Sequence, residues 1–234
     1  MDWTNIIHSD HALLLRLNGS DSMLLDSIML SWTSGFTWIP LYMALMFVVV
    51  KNNKSIRLIS ITVSAAALSV ITSAFITNVI VKPHFHRLRP FNDPQLFGLL
   101  DLVGTYSENS YSFFSAHAAN TFSLALFMSL LIRSRVISAI MIVWALINCY
   151  TRLYLAFHFP TDILCGIICG CVVALIYYWI YCRIAYGRID ELNFVSNKYT
   201  KTGYALTDID MVAIVFVVTV LVIIFKALFS VYFL

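Results

Sequence analysis

The chain has 234 residues, 60% hydrophobic, 15% aromatic and 12% charged, with a formal net charge of +3. Its mean hydropathy is +0.84. That composition excludes a soluble globular domain and marks a polytopic membrane protein, and so small a charge gives no reason to expect nucleic acid as a partner.

In chain order, residues 1–27 mix Leu and Met with Arg16, Asp21 and Asp26, and Asn18-Gly19 interrupts them. This reads as an N-terminal segment lying in the membrane interface. No basic stretch leads into an apolar core with a small-residue cleavage site, so no cleavable signal peptide is expected. Six apolar runs follow, at 28–50, 58–81, 111–132, 136–155, 163–182 and 211–234. Each is close to or beyond the roughly 18 residues that a spanning helix needs. The expected fold class is all-α, a bundle of six transmembrane helices forming one domain over residues 1–234. Lys226, near one end of the last run, can snorkel to the interface. The five cysteines (Cys149, Cys165, Cys169, Cys171, Cys182) all fall in these runs and read as small hydrophobes. Gly166 and Gly170 call for nothing more than close helix approach.

Orientation follows from basic residues in short loops. Lys51, Lys54 and Arg57 lie in the first connection, Arg133 and Arg135 in the third, and Arg183, Arg188, Lys198 and Lys201 in the fifth. These alternate connections share one face, expected to be cytoplasmic, which puts both termini and the other two loops outside. The segment from Lys82 to Pro90, KPHFHRLRP, breaks the pattern by placing Lys82, Arg87 and Arg89 on the outer side. The same topology brings Ser115, Ala116 and His117 (entry of the third span), Arg152 (exit of the fourth) and His158 and Asp162 (entry of the fifth) to that face.

Lys82, Arg89 and Arg152 together invite an anion, since arginine forks match two phosphate oxygens and lysine supplies a point charge. Ser115 and Ala116 at a helix start add backbone N–H donors and a hydroxyl. Asp162 in a first helical turn can accept the N–H of His158, fixing its tautomer and leaving the second ring nitrogen free to attack. His117 is then placed to protonate the departing oxygen. Such a set can cleave a phosphate ester without a metal or other cofactor.

These residues fall into three ordered motifs: Lys82 through Arg89-Pro90, then Phe114-Ser115-Ala116-His117, then Thr151-Arg152 with His158 and Asp162. The arrangement resembles the type 2 phosphatidic acid phosphatase family, which is related to vanadium haloperoxidases and carries K-x6-R-P, P-S-G-H and S-R-x5-H-x3-D. Phe114, Ala116 and Thr151 stand where that pattern has Pro, Gly and Ser, and no reacting side chain is lost. The resemblance centres on a catalytic motif region at 82–162 and extends through the six-span outline. It implies His158 as a nucleophile forming phosphohistidine, Asp162 as its orienter, His117 as general acid, and Lys82, Arg89, Ser115, Ala116 and Arg152 as phosphate ligands. It also implies inhibition by vanadate.

An active face at the outer membrane boundary implies a phosphorylated membrane lipid as substrate and the bilayer as surroundings. Undecaprenyl diphosphate, lipid A, phosphatidylglycerol phosphate and phosphatidic acid all fit. Likeness to compact bacterial members acting on envelope lipids favours the first two, with the protein in the cytoplasmic membrane and its site on the periplasmic face. Two other classes compete. An anion-binding protein or transporter would gather the same cations but has no use for His158–Asp162 or His117. A metalloenzyme built on His84, His86, His117 and His158 would be sensitive to chelators. Arg87, outside the motif, reads as part of a headgroup-binding patch and is expected to leave the chemical step nearly untouched. His84 and His86 read as interfacial residues, and His8, Asp10 and His11 as a solvated face.

Overall fold

The structure, a computed structural model, describes residues 3–104, 111–186 and 197–233. Arg188 of the fifth basic connection and Leu234 of the last apolar run lie outside the described residues. The described elements are helical: α1 (Trp3–Leu17), α2 (Met23–Thr33), α3 (Ile39–Asn52), α4 (Ile56–Phe75), α5 (Lys82–Phe85), α6 (Ala116–Ile132), α7 (Arg135–Tyr154), α8 (Pro160–Tyr186) and α9 (Leu206–Phe233). The all-α expectation holds. Among the described residues, five stretches are long and apolar enough to cross a membrane: Gly35–Asn52, Ile56–Leu96, Arg135–Tyr154, Pro160–Ala185 and Leu206–Tyr232. The 17-residue α6 is a shorter apolar helix packed among them. At about 1.5 Å per residue it reaches close to the thickness of a bilayer core.

Two boundaries differ from the sequence expectation. The run at 28–50 is broken, because α2 ends at Thr33, Ser34 is extended (φ −73°, ψ 121°) and Gly35–Trp38 forms a single 3-10 turn. Pro40, at the start of α3, lacks an N–H and is suited to a first helical turn. The flanking Trp, Phe and Ile kept hydropathy high across this break. The run at 111–132 becomes helical only at Ala116, where the Ser115 side chain caps the helix by accepting from the Ala118 N–H at 3.3 Å. Tyr111 to Phe114 stay outside the helix, and Ser112 is thereby free to enter the site.

Lipid supplies no hydrophobic drive between helices, so close approach of small residues takes its place. The exposed face of α4 carries Leu68, Ile71 and Phe75, whereas Thr62, Ala65, Ser69 and Ser73 are buried. The same division leaves Leu164, Ile168 and Val172 of α8 and Val217, Leu221 and Phe225 of α9 on the outside. Helices α6 and α8 meet where a Cβ on Gly166 would lie 2.6 Å from the Ser115 carbonyl oxygen, and one on Gly170 would overlap the Ala119 carbonyl. These glycines bring the start of α6 against the start of α8, the two ends that carry the motif residues. The five cysteines are free.

At the opposite end of the bundle, Lys51 Nζ is 2.6 Å from Asp208 Oδ1, the Asn52 amide donates to Asp208 Oδ2 at 2.9 Å, and Thr202 Oγ1 donates to the Ile132 carbonyl at 2.8 Å. The first, third and fifth connections therefore meet at one end, as the alternation of basic loops implied. The motif residues gather at the other.

Candidate active site

Lys82 is delivered by a change of helical register. The buried positions of α4 run Thr62, Ala65, Ser69, Ser73, at steps of three and four. The helix then continues as a π-helical turn over Ile76–Val81, in which Thr77 is buried, before α5 begins with Lys82. The step from Thr77 to Lys82 is five, the spacing a π turn accommodates, so Lys82 returns to the buried face at 8% exposure. His86 ends α5 in the left-handed conformation (φ 51°). His84 and His86 are both exposed, in keeping with interfacial side chains.

Arg89 follows α5, is 3% exposed, and its Nη1 reaches the Phe157 carbonyl at 3.4 Å. Arg152, in the last turn of α7, lays its guanidinium 4.1 Å from the centre of the Phe157 ring and donates from Nη1 to Thr33 Oγ1 at 3.0 Å. The Arg152 carbonyl accepts from the N–H groups of Phe157 (2.9 Å) and His158 (3.3 Å), so the turn carrying Arg152 also fixes the backbone of His158.

His158 is 2% exposed and Asp162 is fully buried. His158 Nδ1 stands 3.6 Å from Asp162 Oδ2, too far for a hydrogen bond, but only 3.3 Å from Ser112 Oγ. Ser112 in turn donates to Asp162 Oδ2. A hydroxyl that gives its hydrogen to the carboxylate accepts from the imidazole, so His158 carries its proton on Nδ1 and presents a lone pair at Nε2. Burial, reinforced by the Arg152 and Arg89 charges and opposed by Asp162, lowers the His158 pKa to about 3 and keeps the ring neutral. Asp162 Oδ2 also accepts from the Phe159 N–H at 3.0 Å, and its carbonyl accepts from Ser115 N–H at 3.1 Å. The Ser115 amide, expected as a phosphate donor, is thus engaged by Asp162. Ala116 N–H, at the first position of α6, has no acceptor further back in its own helix. His117 is half-buried, with Nε2 3.3 Å from the Thr33 carbonyl oxygen. A carbonyl only accepts, so Nε2 bears a hydrogen.

Three further residues belong to this cluster. Ser112 lies just ahead of the second motif and had no pattern to announce it. Thr33, from the end of α2, holds both His117 and Arg152. Arg87 corrects the sequence expectation: it is no peripheral headgroup contact, since its Nη1 lies 2.6 Å from Asp162 Oδ1 and its Nη2 2.6 Å from Asp10 Oδ2. Asp10 is likewise buried, at 3% exposure, rather than part of a solvated face. Among the described residues no group of three or more His, Cys, Asp or Glu side chains could hold a metal ion. The set His84, His86, His117 and His158 is therefore not assembled into a ligand shell.

Residues 62–185, more than half of the chain and including all eight expected site residues, match the model of the PAP2 superfamily. The chain belongs to the PAP2 superfamily. It is a membrane-embedded phosphoric ester hydrolase. It is similar to a lipid A 4'-phosphatase of Bacteroides thetaiotaomicron, at 34% identity over 172 residues that cover 73% of this chain and 76% of that one. It is also similar to a lipid A 4'-phosphatase of Porphyromonas gingivalis, at 31% identity over 178 residues covering 75% and 74%. No solved structure matches the chain.

Proposed function

We propose that this PAP2 protein removes a phosphate group from a membrane lipid through a phosphohistidine at His158, and that lipid A is the substrate. The observation that carries the mechanism is the His158–Ser112–Asp162 relay, which leaves Nε2 as a neutral nucleophile within the field of Arg152 and Arg89. Lys82, Arg89, Arg152, the Ala116 N–H and the Ser115 hydroxyl take the phosphate oxygens and the charge that develops on them. Nε2 forms a bond to phosphorus as the ester oxygen leaves, and His117 gives that oxygen a proton. Water then attacks the phosphohistidine, His117 takes up its proton, and inorganic phosphate departs. An anion-binding protein has no need of the relay. The two lipid A 4'-phosphatases among the relatives favour lipid A over undecaprenyl diphosphate, phosphatidylglycerol phosphate and phosphatidic acid. The bundle end carrying the site faces the periplasm of a cytoplasmic membrane, opposite the basic connections.

The test is to trap the intermediate. Purified protein is mixed with labelled substrate, denatured in alkali, in which phosphohistidine survives, and mapped by mass spectrometry. Label on His158, absent from His158→Ala, is the expected result, together with phosphate release from lipid A in a panel of the four lipids. Substantial hydrolysis by His158→Ala would refute the mechanism, and turnover confined to another lipid would refute the substrate.

A further inference from the structure

Asp162 is held from two sides. Its Oδ2 serves the relay to His158, while its Oδ1 receives Arg87. Arg87 is itself held from two sides, because Asp10 of α1 takes its other guanidinium nitrogen at 2.6 Å. Asp10 also accepts from the Thr161 N–H at 2.9 Å and the Thr161 hydroxyl at 2.5 Å. The guanidinium lies 3.9 Å from the centre of the Phe159 ring, and His11 of α1 stacks on the same ring at 5.2 Å. Helix α1, outside the stretch shared with the PAP2 superfamily, therefore grips Phe159 and Thr161, inside the His158–Asp162 turn.

We infer that Asp10 and Arg87 are positioning residues for the nucleophile, with Asp10 serving as the counter-charge that keeps Arg87 from neutralising Asp162. The inference rests on the phosphohistidine reading. As Nε2 bonds to phosphorus and the P–O bond breaks, the imidazole becomes positive, and the field of Asp162 must balance it. Arg87 alone against Asp162 would form a closed ion pair with nothing left for His158. With Asp10 sharing Arg87, the three side chains together carry one negative charge before attack, and the imidazolium brings the cluster to neutrality. Only a planar fork spans both carboxylates with one residue, so the bridge requires arginine and not lysine.

The full chain is assayed in detergent micelles with nitrophenyl phosphate, whose leaving group needs no acid, so that the first step depends on His158 and not on His117. Asp10→Asn keeps an oxygen for the Thr161 N–H but removes the charge and replaces the acceptor of Arg87 Nη2 and the Thr161 hydroxyl with an amide nitrogen. It is expected to lower kcat about tenfold, the scale of a lost charge-assisted contact, while KM stays within about twofold. Arg87→Met leaves two buried carboxylates facing each other. Adding Asp10→Asn to it should then raise kcat, a reversal of sign that a purely structural role cannot give. Should Arg87→Met fail to fold, the His158 Nδ1–H signal in ¹⁵N spectra of Asp10→Asn decides, since loss of the counter-charge moves it. A kcat for Asp10→Asn within twofold of wild type, additive losses in the double variant, or an unmoved Nδ1–H signal overturns the inference. His158→Ala separates the two readings. If it remains active, the phosphohistidine reading fails; if it is inactive while Asp10→Asn is normal, only the positioning role fails.

Discussion

Ser112→Ala is the sharpest test of the relay. Ser112 is fully buried, and its Oγ stands between His158 Nδ1, at 3.3 Å, and Asp162 Oδ2. Alanine removes one oxygen and little volume, so packing hardly changes. Asp162 Oδ2 keeps the Phe159 N–H at 3.0 Å, but His158 Nδ1 faces it across 3.6 Å with nothing between. A hydrogen bond to a charged group contributes about 1.5–3 kcal/mol. At roughly 1.4 kcal/mol per factor of ten, its loss in the transition state corresponds to a fall in kcat of roughly 10- to 150-fold. The ring can recover part of this by swinging toward Asp162, so the lower half of that range is expected. The phosphate ligands are untouched and KM should hold. Steady-state phosphate release from lipid A in micelles gives both constants, and the melting temperature of the same samples checks the fold. A kcat within twofold of wild type in a folded sample would show that the imidazole is oriented without Ser112, and the relay would be wrong.

Two further outcomes follow from the same geometry. His117→Ala should lower kcat/KM on lipid A about 100- to 10,000-fold, the usual range for a positioned proton donor, and far less on nitrophenyl phosphate; equal losses in kcat/KM, which reports the steps up to departure of the first product, would make His117 a ligand rather than an acid. Gly166→Ala sets a Cβ 2.6 Å from the Ser115 carbonyl oxygen, a backbone atom that cannot swing aside, so thermal unfolding in detergent should show a loss of about 1–3 kcal/mol together with lowered activity, whereas an unchanged melting temperature would mean that α6 and α8 can separate at no cost.

What the sequence revealed and what it concealed divide along a physical line. Lys82, Arg89, Ser115, His117, Arg152, His158 and Asp162 were legible because each lies at a fixed offset within a short motif, and alternation of spans sends all three motifs to one face. Arg87 and Asp10 are 77 positions apart, with no local periodicity linking them, and a half-buried ion pair of that kind is indistinguishable from two interfacial charges until the chain is folded. Ser112 was hidden for a different reason. It sits in an apolar run that reads as helix, and only the cap at Ser115 shows that the helix has not yet begun. Likewise, the break at Ser34 passed unseen because hydropathy weighs Trp32, Phe36 and Trp38 alike whether or not the backbone between them is helical.

The break and the cap have a common consequence. Had the run at 28–50 been one helix, the Thr33 carbonyl would be committed to a helical hydrogen bond; as the last residue of α2 it offers its carbonyl to His117 and its hydroxyl to Arg152 at the level of the site. Had α6 begun at Tyr111, Ser112 would be committed to a helical turn and could not reach between His158 and Asp162. The π turn before Lys82 works in the same sense, changing the register of α4 so that a lysine follows Thr77 on the buried face. At each of these points regular helix gives way beside the candidate site residues. A bundle of uninterrupted spans satisfies its backbone internally and leaves side chains to face lipid or one another. Ending α2 at Thr33, beginning α6 only after Ser115 and rewinding α4 over Ile76–Val81 is what brings Thr33, Ser112 and Lys82 to the motif end of such a bundle.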